Sequence, residues 1–115
     1  MIAKKYRLNE KEFRKVLQKR KPFFSYGMIA NVLPNRVGYA RIGILLSGKQ
    51  CRGSVNRNSF RRFTYDLSRP FLDGIGHDIV FVPKKGKILD HKNPEDFSEM
   101  KKDIQFLWKI LVREL

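Results

Sequence analysis

One cysteine and two histidines are all that 115 residues supply of those side chains. Cys51 alone cannot close an intrachain disulfide, and with His77 and His91 distant in sequence no zinc-ligand spacing exists. Carboxylates are also scarce: eleven Asp and Glu stand against twenty-five Lys and Arg. Asp66, Asp73, Asp78 and Asp90 fall on separate predicted elements, so no acid/base pair, activated nucleophile or metal cluster is legible. We therefore expect no catalytic residue and no metal ligand in the chain. No run approaches the ~18 apolar residues of a spanning helix, and the N-terminus lacks the apolar segment of a signal peptide. These absences predict no membrane partner and a soluble, cytoplasmic protein.

What remains is a core and an excess of positive charge. Hydrophobic residues make up 42%, with nine Phe, enough for one domain over residues 1–115 and too little for two. The formal charge is +14 and the pI near 10.3, so the folded chain repels itself and gains most from a polyanion. Nucleic acid is the first candidate.

Local signals order the elements. Asn9 and Glu12 form a capping box with Leu8 and Phe13 as its staple, and Phe13, Val16 and Leu17 carry a helix to about Arg20, ended by Pro22. Residues 26–33 and 37–46 read as a hairpin about Pro34-Asn35, and a short third strand is placed at 48–52. Phe23, Phe24 and Tyr26 precede the first of these strands. A basic helix follows, with Ser54 or Asn56 as cap and Pro70 as its stop. Asp78 to Val82 is a short apolar strand, and Asn93-Pro94 opens a last helix with Phe97, Met100, Ile104, Leu107, Trp108 and Leu111 toward the core. The expectation is an α+β fold, a two-layer α/β sandwich in the order α-β-β-β-α-β-α.

The segment from Val55 to Asp66, V-N-R-N-S-F-R-R-F-T-Y-D, carries the functional signal. At 100° per residue Arg57, Arg61, Tyr65, Asn58, Arg69, Arg62 and Asp66 spread over about half the circumference, with Phe60, Phe63 and Leu67 opposite. Guanidinium groups on a rigid element bond two phosphate oxygens each and stay charged. Asn58 within that face can read sugar hydroxyls or base edges. Solvation alone is the other reading of such a face.

Gly53-Ser54-Val55-Asn56-Arg57-Asn58-Ser59-Phe60-Arg61-Arg62-Phe63-Thr64-Tyr65-Asp66 resembles the signature of the protein subunit of bacterial ribonuclease P, R-N-x-x-[KR]-R-x-x-R-[ED] after a G-x-A-V-like lead-in. Arg7-Leu8 with Phe13 and Val16-Leu17, the stretch from Val37 to Gly48-Lys49, and the strand from Asp78 to Val82 stand in the family's order. Tyr65 departs from it, replacing the usual last arginine; the lead-in from Ser47 is one residue longer, and Pro70 shortens the helix.

The resemblance implies a left-handed β-α-β crossover around the arginine helix, the fold type of the second domain of ribosomal protein S5, an exception to the right-handed rule. It implies that catalysis belongs to a partner RNA, a Mg²⁺-dependent ribozyme that removes the 5′ leader of precursor tRNA. The protein is then its cofactor, monomeric apart from the RNA and binding no cofactor alone. The implied contacts to catalytic RNA are Arg57, Asn58, Arg61, Arg62, Tyr65 and Arg69, with Lys49 and Arg52 before the helix. A cleft between the first helix and the sheet would hold the leader, with Phe13, Leu17, Ile29 and Asn31 as candidates; Phe13 serves equally as core. Phe23, Phe24 and Tyr26 either line that cleft or pack. Two other readings compete: a generic RNA-binding or ribosomal module, and an autonomous metal-dependent nuclease.

Overall fold

The computed structural model describes residues 2–115; Met1 lies outside the described residues. Helix α1 spans Glu10–Gln18, and both arms of its capping box form: Asn9 Oδ1 accepts from the Glu12 N–H at 2.8 Å, and Glu12 Oε1 accepts from the Asn9 N–H at 2.9 Å. The helix stops two residues earlier than the apolar spacing suggests, because the chain is already turning into β1, Lys21–Phe24. Pro22 is tolerated in β1, an edge strand where a missing N–H costs no ladder bond on the open side.

The expected hairpin is corrected. β2, Met28–Pro34, pairs antiparallel with β1, whereas β3, Arg41–Ile44, never touches β2. β4, His77–Pro83, inserts between them, antiparallel to β2 and parallel to β3, giving the order β1-β2-β4-β3. The reason is the composition of β4: Ile79, Val80 and Phe81 are all fully buried, and a strand apolar on both faces gains most at the centre of a sheet. The third strand expected at 48–52 is a turn, while the segment of Phe23 and Phe24 supplies the missing strand as β1.

Helix α2, Ser54–Ser68, links the parallel strands β3 and β4 in a β-α-β crossover. Neither Ser54 nor Asn56 caps it. The cap is Gly53 at φ 85°, a left-handed conformation that glycine adopts without cost, and Asn56 lies buried in the first turn. The helix ends at Ser68, ahead of Pro70 in a single 3-10 turn. Helix α3, Pro94–Glu114, begins as expected, with Asn93 Oδ1 accepting from Glu95 N–H at 3.1 Å.

α2 and α3 cover one sheet face. Met28, Ala30, Val32, Ile42, Ile44, Ile79 and Phe81 meet Phe60, Ile104, Leu107, Trp108 and Leu111 in the main core. Phe60 stacks on Phe97 at 4.5 Å between centroids, and Phe71 on Trp108 at 5.2 Å.

The register defines three cross-strand rows on the opposite face. Leu33, Asp78 and Arg41 form one, Pro22, Asn31, Val80 and Gly43 the next. Helix α1 is anchored over these two. Arg41 donates to Asp78 at 2.8 and 2.9 Å and also reaches Glu12 of the capping box, tying α1 to β3 and β4. Asp78, nearly buried, accepts a further bond from Asn35 Nδ2 at 2.9 Å. These partners meet the demand of a buried carboxylate for compensation. The third row, Phe24, Ile29 and Val82, continues to Leu45, which follows β3 and donates its N–H to Phe81 O at 2.9 Å.

A candidate nucleic-acid interface on two surfaces

The first surface is α2. Its buried stripe is Asn56, Phe60, Thr64 and Ser68, with Tyr65 beside it, and Phe63 and Leu67 are only partly covered. The helix is thus rolled from the orientation its Phe and Leu residues alone predict. Thr64 and Ser68 are polar yet buried because their hydroxyls donate back to the carbonyls of Phe60 and Thr64 at 2.8 and 2.7 Å. Ser68 Oγ also accepts from Trp108 Nε1 at 3.0 Å. A short hydroxyl with its hydrogen bonds made inside the helix behaves as a small core residue.

The roll changes the cationic face. Asn58, Arg62 and Arg69 are exposed, and Lys49 and Arg52 extend that exposure ahead of the helix. Arg57 and Arg61 stand on its flank, half-covered: Arg57 donates to Cys51 O at 3.2 Å and Arg61 to Asn58 Oδ1 at 2.8 Å. Arg69 pairs with Asp66 at 3.0 Å. Tyr65 is corrected from a face residue to a core residue, 7% exposed. Burial pushes its phenol pKa up, against the opposing pull of Arg61 and Arg7. What stays accessible of Tyr65 helps line a groove of about 490 Å³ with Lys4, Lys5, Arg7, Tyr39 and Arg41. Lys5 Nζ sits 4.8 and 4.9 Å from the Tyr6 and Tyr39 ring centroids there, so the basic arm lies beside the arginine helix. Cys51 is buried, and burial raises its thiol pKa, the reverse of what a thiolate ligand or nucleophile needs.

The second surface is the sheet face beside α1. Of the four expected cleft residues, Phe13, Leu17 and Ile29 are partly covered, but Asn31 is 1% exposed. Asn31 is therefore corrected from a cleft-lining residue to a covered one, in the row between Pro22 and Val80; among the described residues its Oδ1 has no hydrogen-bond partner. The open part of the face is the third row. Phe24 is 56% exposed, Leu45 is exposed, and Ile29 and Val82 lie partly covered between them. Lys84 Nζ stands 5.9 Å from the Phe24 ring centroid. Phe24, left between cleft and packing by the sequence, is an exposed surface residue in the structure; Val82 and Leu45 were not among the candidates, and Leu45 becomes legible only once strand register sets it in the row of Ile29. Among the described residues no group of three His, Cys, Asp or Glu could hold a metal ion, and no helix is long and apolar enough to cross a membrane.

Fold and surface together define a basic α+β domain with a cationic face on α2 and an apolar strip on the opposite face of the sheet, beside α1. The family model described as Ribonuclease P matches residues 2–112. A ribonuclease P protein component of Chloroflexus aurantiacus is 32% identical over 109 residues, covering 92% of this chain and 77% of that protein. One of Pseudomonas syringae is 35% identical over 80 residues, covering 69% of this chain and 56% of its own length. Solved ribonuclease P proteins of Thermotoga maritima and Staphylococcus aureus share the fold, at TM-scores of 0.67 and 0.68. Their identities are 23% and 18%, over 90% and 91% of this chain and 94% of each of theirs. The chain belongs to the ribonuclease P protein family, whose members serve tRNA 5′ processing as the protein component of the enzyme.

Proposed function

We propose that this chain is the protein cofactor of a ribonuclease P ribozyme: it binds the catalytic RNA and the 5′ leader of precursor tRNA and promotes endonucleolytic removal of the leader. The observation that carries this reading is the family match over residues 2–112 together with the exposed Asn58, Arg62 and Arg69 of α2. Catalysis is the work of the RNA subunit, and Mg²⁺ belongs to the assembled enzyme. The protein acts in the bacterial cytoplasm, monomeric apart from its RNA.

The division of labour follows from charge. Catalytic RNA and substrate are both polyanions, and a +14 protein between them lowers their repulsion and releases counterions. α2, with Lys49 and Arg52, is the docking surface for the catalytic RNA. The leader lies along the strip from Phe24 past Ile29 and Val82 to Leu45, with Phe13 and Leu17 of α1 as its wall. Leaders vary in sequence, and an apolar strip flanked by lysine serves them by stacking and backbone attraction instead of base-edge readout.

The test is reconstitution. The chain is mixed with a bacterial ribonuclease P RNA and a leader-bearing precursor tRNA at low Mg²⁺, and 5′ cleavage is compared with RNA alone. Faster cleavage at the mature 5′ end is expected. No gain over RNA alone defeats the reading, and cleavage by the protein without RNA replaces it with an autonomous nuclease.

A further inference from the structure

Between the loop entering α2 and the loop leading from β4 to α3 lies a groove of about 520 Å³, within the ~300–1,000 Å³ of small-ligand sites. Lys49 and Arg52 line it from the first loop, Asp90, His91 and Lys92 from the second, and Asn56 of α2 is part of its lining. Three permanent cations thus face one carboxylate. Asp90 is itself engaged, its Oδ1 accepting the Lys92 N–H at 3.0 Å.

Asn56 determines what the histidine can do. Its Nδ2 donates to Leu89 O at 2.9 Å, which orients the amide and turns Oδ1 toward His91. That oxygen accepts the His91 backbone N–H at 2.7 Å and lies 3.0 Å from His91 Nδ1. Since Oδ1 can only accept, Nδ1 carries the hydrogen, and neutral imidazole keeps its lone pair on Nε2. A site for bare phosphate has no use for an acceptor among its lysines and arginines. A ribose beside its phosphate uses both: the phosphate takes the cations, and the 2′-hydroxyl donates to the acceptor.

We propose that this groove is a ribose–phosphate subsite for RNA, in which Lys49, Arg52 and Lys92 hold backbone phosphate and His91 Nε2 accepts from a 2′-hydroxyl. The inference rests on the ribozyme-cofactor reading and adds the loop of residues 88–92 to the RNA surface. Buried Asn56 is the positioning residue. It couples the first turn of the arginine helix to that loop, so docking of α2 sets His91 at the same time.

The test measures binding of the full chain to a bacterial ribonuclease P RNA as a function of salt. Lys92→Ala is expected to lower the salt slope by about one unit. His91→Ala should weaken binding by about 2- to 10-fold at unchanged slope, the effect of one neutral hydrogen bond. His91→Gln, whose amide can donate to Asn56 and accept on its far side, should restore most of it. With wild-type protein, 2′-deoxy substitution of the RNA should interfere at a position that becomes silent with His91→Ala. Thermal melts check that each variant folds; should His91→Ala not fold, the exposed Lys92→Ala decides. If Lys92→Ala and His91→Ala bind like wild type while Arg62→Ala binds more weakly, the groove is not an RNA site and the cofactor reading stands. If Arg62→Ala is silent as well, the groove and the α2 docking surface both fall, while the cofactor reading is decided by reconstitution.

Discussion

The Phe13 ring lies on the bare backbone of Gly43: a Cβ at position 43 would come 2.8 Å from Phe13 Cδ2 and 3.0 Å from Cε2. Glycine in a strand is ordinarily a weakness, and here it lets the Phe13 ring of α1 press onto the sheet backbone. Gly43→Ala should therefore lift α1 or drive the ring off its rotamer, costing ~1–3 kcal/mol of stability as overpacking does. Trimming the ring with Phe13→Leu should recover part of that loss. Urea unfolding of both single variants and the double variant measures the coupling; strict additivity would mean that the contact does not limit the packing.

Exposure separates the arginines of α2. Arg62 is exposed and among the described residues makes no side-chain hydrogen bond that would hold the fold, so Arg62→Ala should lower the salt slope of RNA binding by about one unit and leave the melting temperature unchanged. Arg57 bonds Cys51 O, so Arg57→Ala should lower both quantities. Salt titrations paired with melts test this. Unchanged slopes in both variants would mean that the helix face is only solvated.

Phe60 and Phe63 resemble each other in sequence and differ in burial. Phe60 is fully buried and stacked on Phe97, so Phe60→Ala should cost ~3–5 kcal/mol. Phe63 is partly exposed and meets Phe97 edge-on at 5.0 Å, so its replacement should cost clearly less. Equal losses in denaturant unfolding would show that the roll of α2 is misplaced.

His77 supplies a pH dependence. Burial pushes its pKa below 6.5, Asp78 opposes that, and Lys21 adds to it; its Nδ1 is buried without a hydrogen-bond partner among the described residues. As pH falls through 6.5 the unfolded chain takes up the proton before the folded one, so stability drops until the lower folded pKa is passed. Urea midpoints should fall as pH drops below about 7, and His77→Gln should flatten part of that fall. Identical profiles for variant and wild type would remove His77 as the cause.

Much of this was legible in the residues. The capping box at Asn9 and Glu12, the Asn93-Pro94 start of α3 and its apolar stripe are local signals, read within a turn or two of the chain. Charge balance and the run from Gly53 to Asp66 were enough to suggest the family. Where reading from sequence failed, the deciding partners were distant. β4 lies more than thirty residues beyond β3 in the chain, and only its burial on both faces shows that it must divide β2 from β3.

The site divides in the same way. Sequence by itself determined which residues are cationic and that they share a helix, because charge and helical period are properties of a local window. Tertiary structure decided which of them face outward. Thr64 and Ser68 sink into the core once their hydroxyls bond their own helix and Trp108, and that roll carries Tyr65 inward and leaves Arg57 and Arg61 on the flank. Register and the reach of α1 likewise buried Asn31 and opened the row from Phe24 to Leu45. A side chain's type is written in the chain, but whether it meets solvent depends on which neighbours pack against it, and those neighbours come from elsewhere in the sequence.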